Sequence, residues 1–172
     1  MTTQGDQEVR TDVTTKLGSH YDELVASVSG KSDAALARRP GPGEWSPLDQ
    51  LEHHLLTEGI WTAMIERSVR EDRPDLTQLW GSLKRAEEPN PFPPPTQPRE
   101  LAALLAALSE RHSRTLALLD SVPDQAFARV GRNTGFGDLT VLQMFRGIYR
   151  HYRMHIDQIE GREPSFRPRR AQ

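Results

Sequence analysis

The sequence predicts an all-α fold, a four-helix bundle, on three observations. Four segments repeat apolar residues at three- and four-residue steps, the mark of a buried helical face. No run of alternating strand residues interrupts them. The prolines concentrate in one long connection, residues 72 to 98, between the second and third of these segments. A connection of that length can carry the chain from one end of a bundle to the other. The second and third helices are then parallel, and the predicted order is up-down-down-up.

The first helix is expected from about Val9 to Val28, with Val13, Leu17, Tyr21, Leu24 and Val28 on one face and Gly30 as the stop. Residues 1 to 8 are expected as a disordered tail. The stretch ALARRPGPGEW reads as a loop, since Pro40, Gly41, Pro42 and Gly43 cannot continue a helix. The second helix should begin after Ser46, its N-cap, with Pro47 at the first helical position and Asp49 complementing the helix dipole in the first turn. It should run to about Arg70. EEPNPFPPPTQP holds six prolines in twelve residues and cannot be a regular helix or a central strand. Leu76, Leu79, Trp80 and Leu83 should pin part of this connection down as a short helical turn.

The third helix, from about Pro98 to Ser121, has the alanine- and leucine-rich composition that most favours helix. PDQAFARV adds a further turn and GRNTGFGD a loop. The fourth helix is expected from about Leu139 to Gly161, capped by Thr140 or Asp138. The bundle domain therefore covers residues 9 to 162, followed by a basic tail, residues 163 to 172.

The chain has 172 residues, enough for one domain with a core. No segment approaches the roughly 18 consecutive apolar residues of a membrane span. The first residues, MTTQGDQEVRTDV, lack the apolar stretch of a secretory signal, so the expectation is a cytoplasmic protein with no membrane association. The absence of cysteine excludes disulfides, thiolate metal sites and a cysteine nucleophile. A formal net charge of -2 argues against general nucleic-acid binding.

Four of the six histidines fall in two short segments, WSPLDQLEHHLL and HYRMHIDQI. His151 and His155 are four residues apart, hence on the same face of the fourth helix, a spacing that lets two imidazoles reach one divalent ion. His155 continues the stripe of Ile148, Tyr152 and Ile159, and His151 flanks it. His53 and His54 are adjacent and point about 100° apart. His54 lies nearer the stripe of Leu48, Leu51, Leu55 and Ile65; His53 lies toward Gln50, Thr57, Trp61 and Met64. Periodicity alone does not choose between them. His20 and His112 stand alone and are expected to be solvated.

WSPLDQLEHHLLTE and GFGDLTVLQMFRGIYRHYRMHIDQI together resemble the helix-two and helix-four signatures of the DinB/YfiT-like superfamily, W-S-x-x-x-x-L-x-H and a Gly-x-Leu-Thr entry followed by H-x-x-x-H-x-x-Q-I. The resemblance spans roughly residues 9 to 162. It implies a bundle binding one divalent ion at one end through three histidines; zinc, nickel and iron are all compatible with nitrogen ligands. Matched from Trp45, these are His53, His151 and His155. His54 stands where the superfamily usually has leucine, which leaves the neighbours to be told apart.

Three imidazoles leave an ion with its +2 charge and an open position, where it can acidify a bound water or thiol. The resemblance implies a metal-dependent enzyme using a low-molecular-weight thiol such as mycothiol or bacillithiol, of S-transferase or isomerase type. The alternatives are a metal-dependent hydrolase and a non-catalytic metal-binding or stress-response module. Glu58 and Gln158 are the candidates for supporting or catalytic roles. Trp45 reads as a hydrophobic plug at the entry to the second helix, and Tyr149 and Tyr152 as pocket or core residues. The resemblance also implies a homodimer, for which the broad leucine surface of the third helix, Leu101, Leu104, Leu105, Leu108, Leu116 and Leu119, is the candidate face.

Overall fold

A computed structural model describes residues 4–42, 44–81 and 100–165. Its elements are α1 (Gln4–Val28), α2 (Asp33–Ala37), α3 (Pro47–Arg70), α4 (Thr77–Gly81), α5 (Leu101–Ser121), a 3-10 turn (Asp124–Ala128), β1 (Val130–Gly131), β2 (Leu139–Thr140) and α6 (Val141–Ile159). The four long helices α1, α3, α5 and α6 form the bundle. α6 packs against α1 and α3, and α5 against the same two, so α1 and α3 occupy one diagonal.

Side-chain pairs fix the directions. Going up α1, Arg10 reaches the carbonyls of Leu119 and Val122, while Tyr21 stacks on His112, so α1 and α5 are antiparallel. His20 bonds the Tyr149 carbonyl and Glu23 pairs with Arg153, so α1 and α6 are parallel. Gln50 meets His155 and Trp61 meets Gly147, which makes α3 antiparallel to α6. α3 and α5 are therefore parallel, and the order is up-down-down-up. The proline-rich stretch that makes this possible lies largely in residues 82–99, outside the described residues, as does Leu83.

Each helix buries the face its spacing predicts. Val13, Leu17, Leu24 and Val28 of α1, Leu104, Leu108 and Leu119 of α5, and Phe145, Ile148 and Tyr152 of α6 are buried. α3 is different. Leu48, Leu51 and Ile65 are buried, and so are Gln50, Thr57, Trp61 and Met64, because α3 is packed by α5 on one side and α6 on the other. The two rival stripes of this helix are both core. Both neighbouring histidines consequently face protein.

The start of α3 follows the expected cap and improves on it. Ser46 Oγ accepts the Asp49 N–H, and the Asp49 carboxylate accepts the Ser46 N–H, a reciprocal capping box. Arg39 adds a two-nitrogen pair to the same carboxylate, at 2.9 and 3.2 Å. α6 begins with a second box, Thr140 with Gln143, so Thr140 and not Asp138 is the cap. Asp138 instead meets Arg73 and the Asn133 backbone.

Three expectations are corrected. Residues 4–8, read as tail, are the first turns of α1: Gln7 and Glu8 favour helix although they carry no apolar pattern. The segment before Pro40, read wholly as loop, contains α2, capped by Ser32 and held by the buried Leu36. The loop GRNTGFGD is closed by a two-residue ladder, Val130 opposite Thr140 and Gly131 opposite Leu139. Gly131 is required there, because a Cβ would lie 2.4 Å from Leu76, 2.5 Å from Ser68 and 2.7 Å from Met144.

Candidate metal centre

The N-terminal part of α3 and the C-terminal part of α6 meet at one end of the bundle. Here His53, His151 and His155 converge, each offering a ring nitrogen, with all three nitrogens within 4.8 Å of one another. His53 Nε2 lies 3.2 Å from His151 Nε2, and His155 Nε2 lies 2.9 Å from His151 Nε2. Two nitrogens bound to one ion at about 2.0–2.1 Å are about 2.9 Å apart at a right angle and about 3.4 Å apart at the tetrahedral angle. The two observed spacings fall within this range, so His151 is placed to share one small divalent ion with each of its neighbours, and the third nitrogen pair lies within 4.8 Å.

The outer nitrogens explain the convergence. His155 Nδ1 lies 3.2 Å from the Gln50 amide oxygen and 2.9 Å from that of Gln158. An oxygen at that position accepts a hydrogen bond, so the ring carries its proton on Nδ1 and presents a bare Nε2. His151 Nδ1 lies 3.3 Å from Thr57 Oγ1, whose own proton goes to the His53 and His54 carbonyls at 2.9 and 3.1 Å. Thr57 Oγ1 is thus placed to accept from His151 Nδ1, an arrangement that would leave the Nε2 of that ring bare. Lone pairs of His151 and His155 then face each other at 2.9 Å, an arrangement that a cation stabilises.

Burial keeps these rings neutral. It pushes the His53 pKa down to about 3, with repulsion from His54 adding to the effect. Burial likewise holds His151 and His155 well below the ordinary histidine range, assisted by the neighbouring imidazoles. All three are unprotonated at neutral pH and available as ligands. Trp45, expected only as a plug, packs its ring on His53 at 4.5 Å and so also walls the cluster.

His54 goes elsewhere. It is fully buried, with its ring 3.9 Å from Tyr152 and 4.9 Å from His151, and its Nε2 is 3.4 Å from Glu58 Oε2 without hydrogen-bond alignment. Glu58 is fully buried beside it, accepting Tyr152 O–H at 2.7 Å and Thr115 O–H at 2.5 Å. Burial opposes its ionisation, but His54 and the two hydroxyls outweigh that and hold its pKa below the usual carboxylate value. Tyr152 is pushed up in turn, by burial and by the Glu58 charge. The structure thus brings Glu58 to His54, Tyr152 and Thr115 in the core, and Gln158 directly to His155.

His20 and His112 are not solvated as expected. His112 is buried and stacked on Tyr21 at 4.2 Å, and His20 is half-buried against the Tyr149 carbonyl. Tyr149 and Tyr152 are both buried. Sequence reasoning assigned no role to Gln50 or Thr57 beyond a place on a stripe, yet both touch the cluster. Their positions, three residues before and four after His53, put them on its face and were the available signal. The buried Asp157 pairs with Arg153 within α6 and holds the chain after the helix through Arg162 and the Ser165 N–H and hydroxyl.

An up-down-down-up bundle with three converging imidazoles at one end places the chain among all-helical bundles with a candidate site for a divalent ion. The model of the DinB superfamily matches residues 16–159, and the chain belongs to that superfamily. No curated protein matches it significantly. Among solved structures it is similar to YfiT from Bacillus subtilis, described as a probable metal-dependent hydrolase with an unusual four-helix bundle topology. The TM-score is 0.65 at 21% sequence identity, covering 88% of this chain and 84% of the other. A likeness at that identity carries the fold. Among the described residues, no helix is long and apolar enough to cross a membrane.

Proposed function

We propose that this protein is a metal-dependent enzyme holding one divalent ion through His53, His151 and His155. The observation that carries the reading is the convergence of three neutral imidazoles, His155 buried and His53 and His151 half-buried, with the outer nitrogens of His151 and His155 held by uncharged partners. An ion in such a site supplies Lewis acidity, making a water or thiol bound to it nucleophilic near neutral pH. The protein's own residues do the rest. Gln50, Gln158 and Thr57 orient the rings, and Trp45 shields one side of His53. Zinc, nickel and iron all suit nitrogen ligands.

Two reactions follow from the same centre. Hydrolysis is favoured by the fold shared with YfiT, a probable metal-dependent hydrolase. Transfer or isomerisation with a low-molecular-weight thiol, mycothiol or bacillithiol, is what the superfamily resemblance implies, the bound thiol supplying a sulfur nucleophile that this cysteine-free chain lacks. Metal-loaded protein assayed against ester and amide substrates without thiol tests the first. Proton release on mixing with each thiol, read by calorimetry in two buffers, tests the second. Turnover without thiol identifies a hydrolase, and thiol-dependent proton release a thiol enzyme. Neither response leaves a metal-binding module and refutes the catalytic reading.

A further inference from the structure

The partners of the outer ring nitrogens of His151 and His155 are uncharged. His155 Nδ1 faces two amide oxygens, Gln50 and Gln158, and His151 Nδ1 faces the Thr57 hydroxyl. Histidine ligands commonly donate instead to a carboxylate, which makes the ring more basic and shares negative charge with the ion. Carboxylates stand close enough in the sequence to have served. Asp157, two residues from His155, is engaged by Arg153, Arg162 and Ser165. Glu58, on the same helix as Thr57, is engaged by Tyr152 and Thr115.

From this geometry we infer that Gln50, Gln158 and Thr57 are positioning residues that fix His151 and His155 in the Nδ1–H tautomer while adding no negative charge to the centre. The inference rests on the metal reading for its consequence but not for its geometry. An ion at the three Nε2 atoms keeps its whole charge for whatever occupies its open position, which favours an anionic ligand there. Thr57 has a double part. Its hydroxyl proton is committed to the His53 and His54 carbonyls, so its oxygen is free only to accept. That commitment makes the tautomer of His151 a property of the α3 backbone. On α6, the four-residue spacing of His151 and His155 then aims both bare nitrogens the same way.

Two measurements test this. Nitrogen-15 spectra of the metal-free protein read the tautomers directly, with no ion present. His151 and His155 should both be protonated on Nδ1. Protonation on Nε2 would mean that the amides present N–H rather than oxygen to His155, or that Thr57 donates to His151, and would overturn the inference whether or not metal binds. Zinc affinity, measured by competition with a chelator, reads the consequence. Thr57→Val should weaken it about 10- to 100-fold, the usual cost of losing an outer partner. Thr57→Ser, which keeps the hydroxyl, should restore it. Gln158 is exposed, so Gln158→Glu should fold normally, and its added charge should tighten zinc about tenfold. Unchanged affinity in both Thr57→Val and Gln158→Glu, in a protein that binds zinc, refutes the inference and leaves the metal centre standing. A wild-type protein with the Nδ1–H tautomers that takes up no zinc refutes the metal reading instead.

Discussion

Replacing His53 or His54 by alanine should produce opposite phenotypes, although the two residues are neighbours. His53 is half-buried, and its Nε2 is one of the three converging atoms. His53→Ala should cost about 1 kcal/mol of metal-free stability, the centre of the range for single substitutions. It should weaken metal binding more than 100-fold, beyond the roughly 10- to 100-fold cost of losing an outer partner. His54 is fully buried, packed at 3.9 Å against Tyr152 and lying beside the buried Glu58 carboxylate. His54→Ala opens a cavity and deprives Glu58 of a neighbour, a loss of about 2–4 kcal/mol. In a chain of this length that lowers the melting temperature by about 5–15 °C. Its metal stoichiometry should remain that of the wild type. Thermal melts of the metal-free variants, paired with chelator competition, separate the two effects. Metal lost from His54→Ala and kept by His53→Ala would place the ion on the wrong side of α3 in this account.

Further outcomes follow from the same core. In the metal-free protein the folded pKa of His53 is about 3, and those of His151 and His155 also lie below the ordinary value of 6.5. The unfolded chain therefore binds protons first as pH falls, and stability should decline from about pH 6.5 downward, less steeply in His53→Ala; a melting temperature flat from about pH 7 to about pH 4 would contradict this. Tyr152→Phe removes the 2.7 Å donor to Glu58 and should cost about 1–3 kcal/mol in denaturant unfolding while leaving metal affinity near wild type. We also propose a homodimer through α5; of the six leucines expected at that face, Leu104, Leu108 and Leu119 are core and only Leu101, Leu105 and Leu116 remain partly exposed, and a solution mass near 19.4 kDa at micromolar concentration would refute the pairing.

The sequence carried the long helices because each has a one-sided apolar pattern and a local stop or cap: Ser46-Pro47 and Thr140 open α3 and α6, and Gly161 follows α6. The inward aim of His155 was legible for the same reason, as it continues the stripe of Ile148, Tyr152 and Ile159. His53 and His54 could not be separated by periodicity, since α3 is packed on two faces and both stripes are core. That distinction needs the tertiary position of α6. Short elements were also hidden. α2 rests on one buried leucine, and the β1–β2 ladder on a glycine that nothing larger could replace. His112 looked solvated because its partner, Tyr21, is remote in sequence and comes to it only through the antiparallel packing of α1 and α5.

The proposed metal site draws three histidines from two helices, His53 from α3 and His151 and His155 from α6. Elemental analysis of protein purified without an affinity tag, followed by calorimetric titration of the stripped protein, tests it most directly. One divalent ion per chain is expected in the wild type and none held tightly by His155→Ala, with both proteins folded. A folded wild-type protein that neither carries nor takes up zinc, nickel, iron or manganese would contradict it.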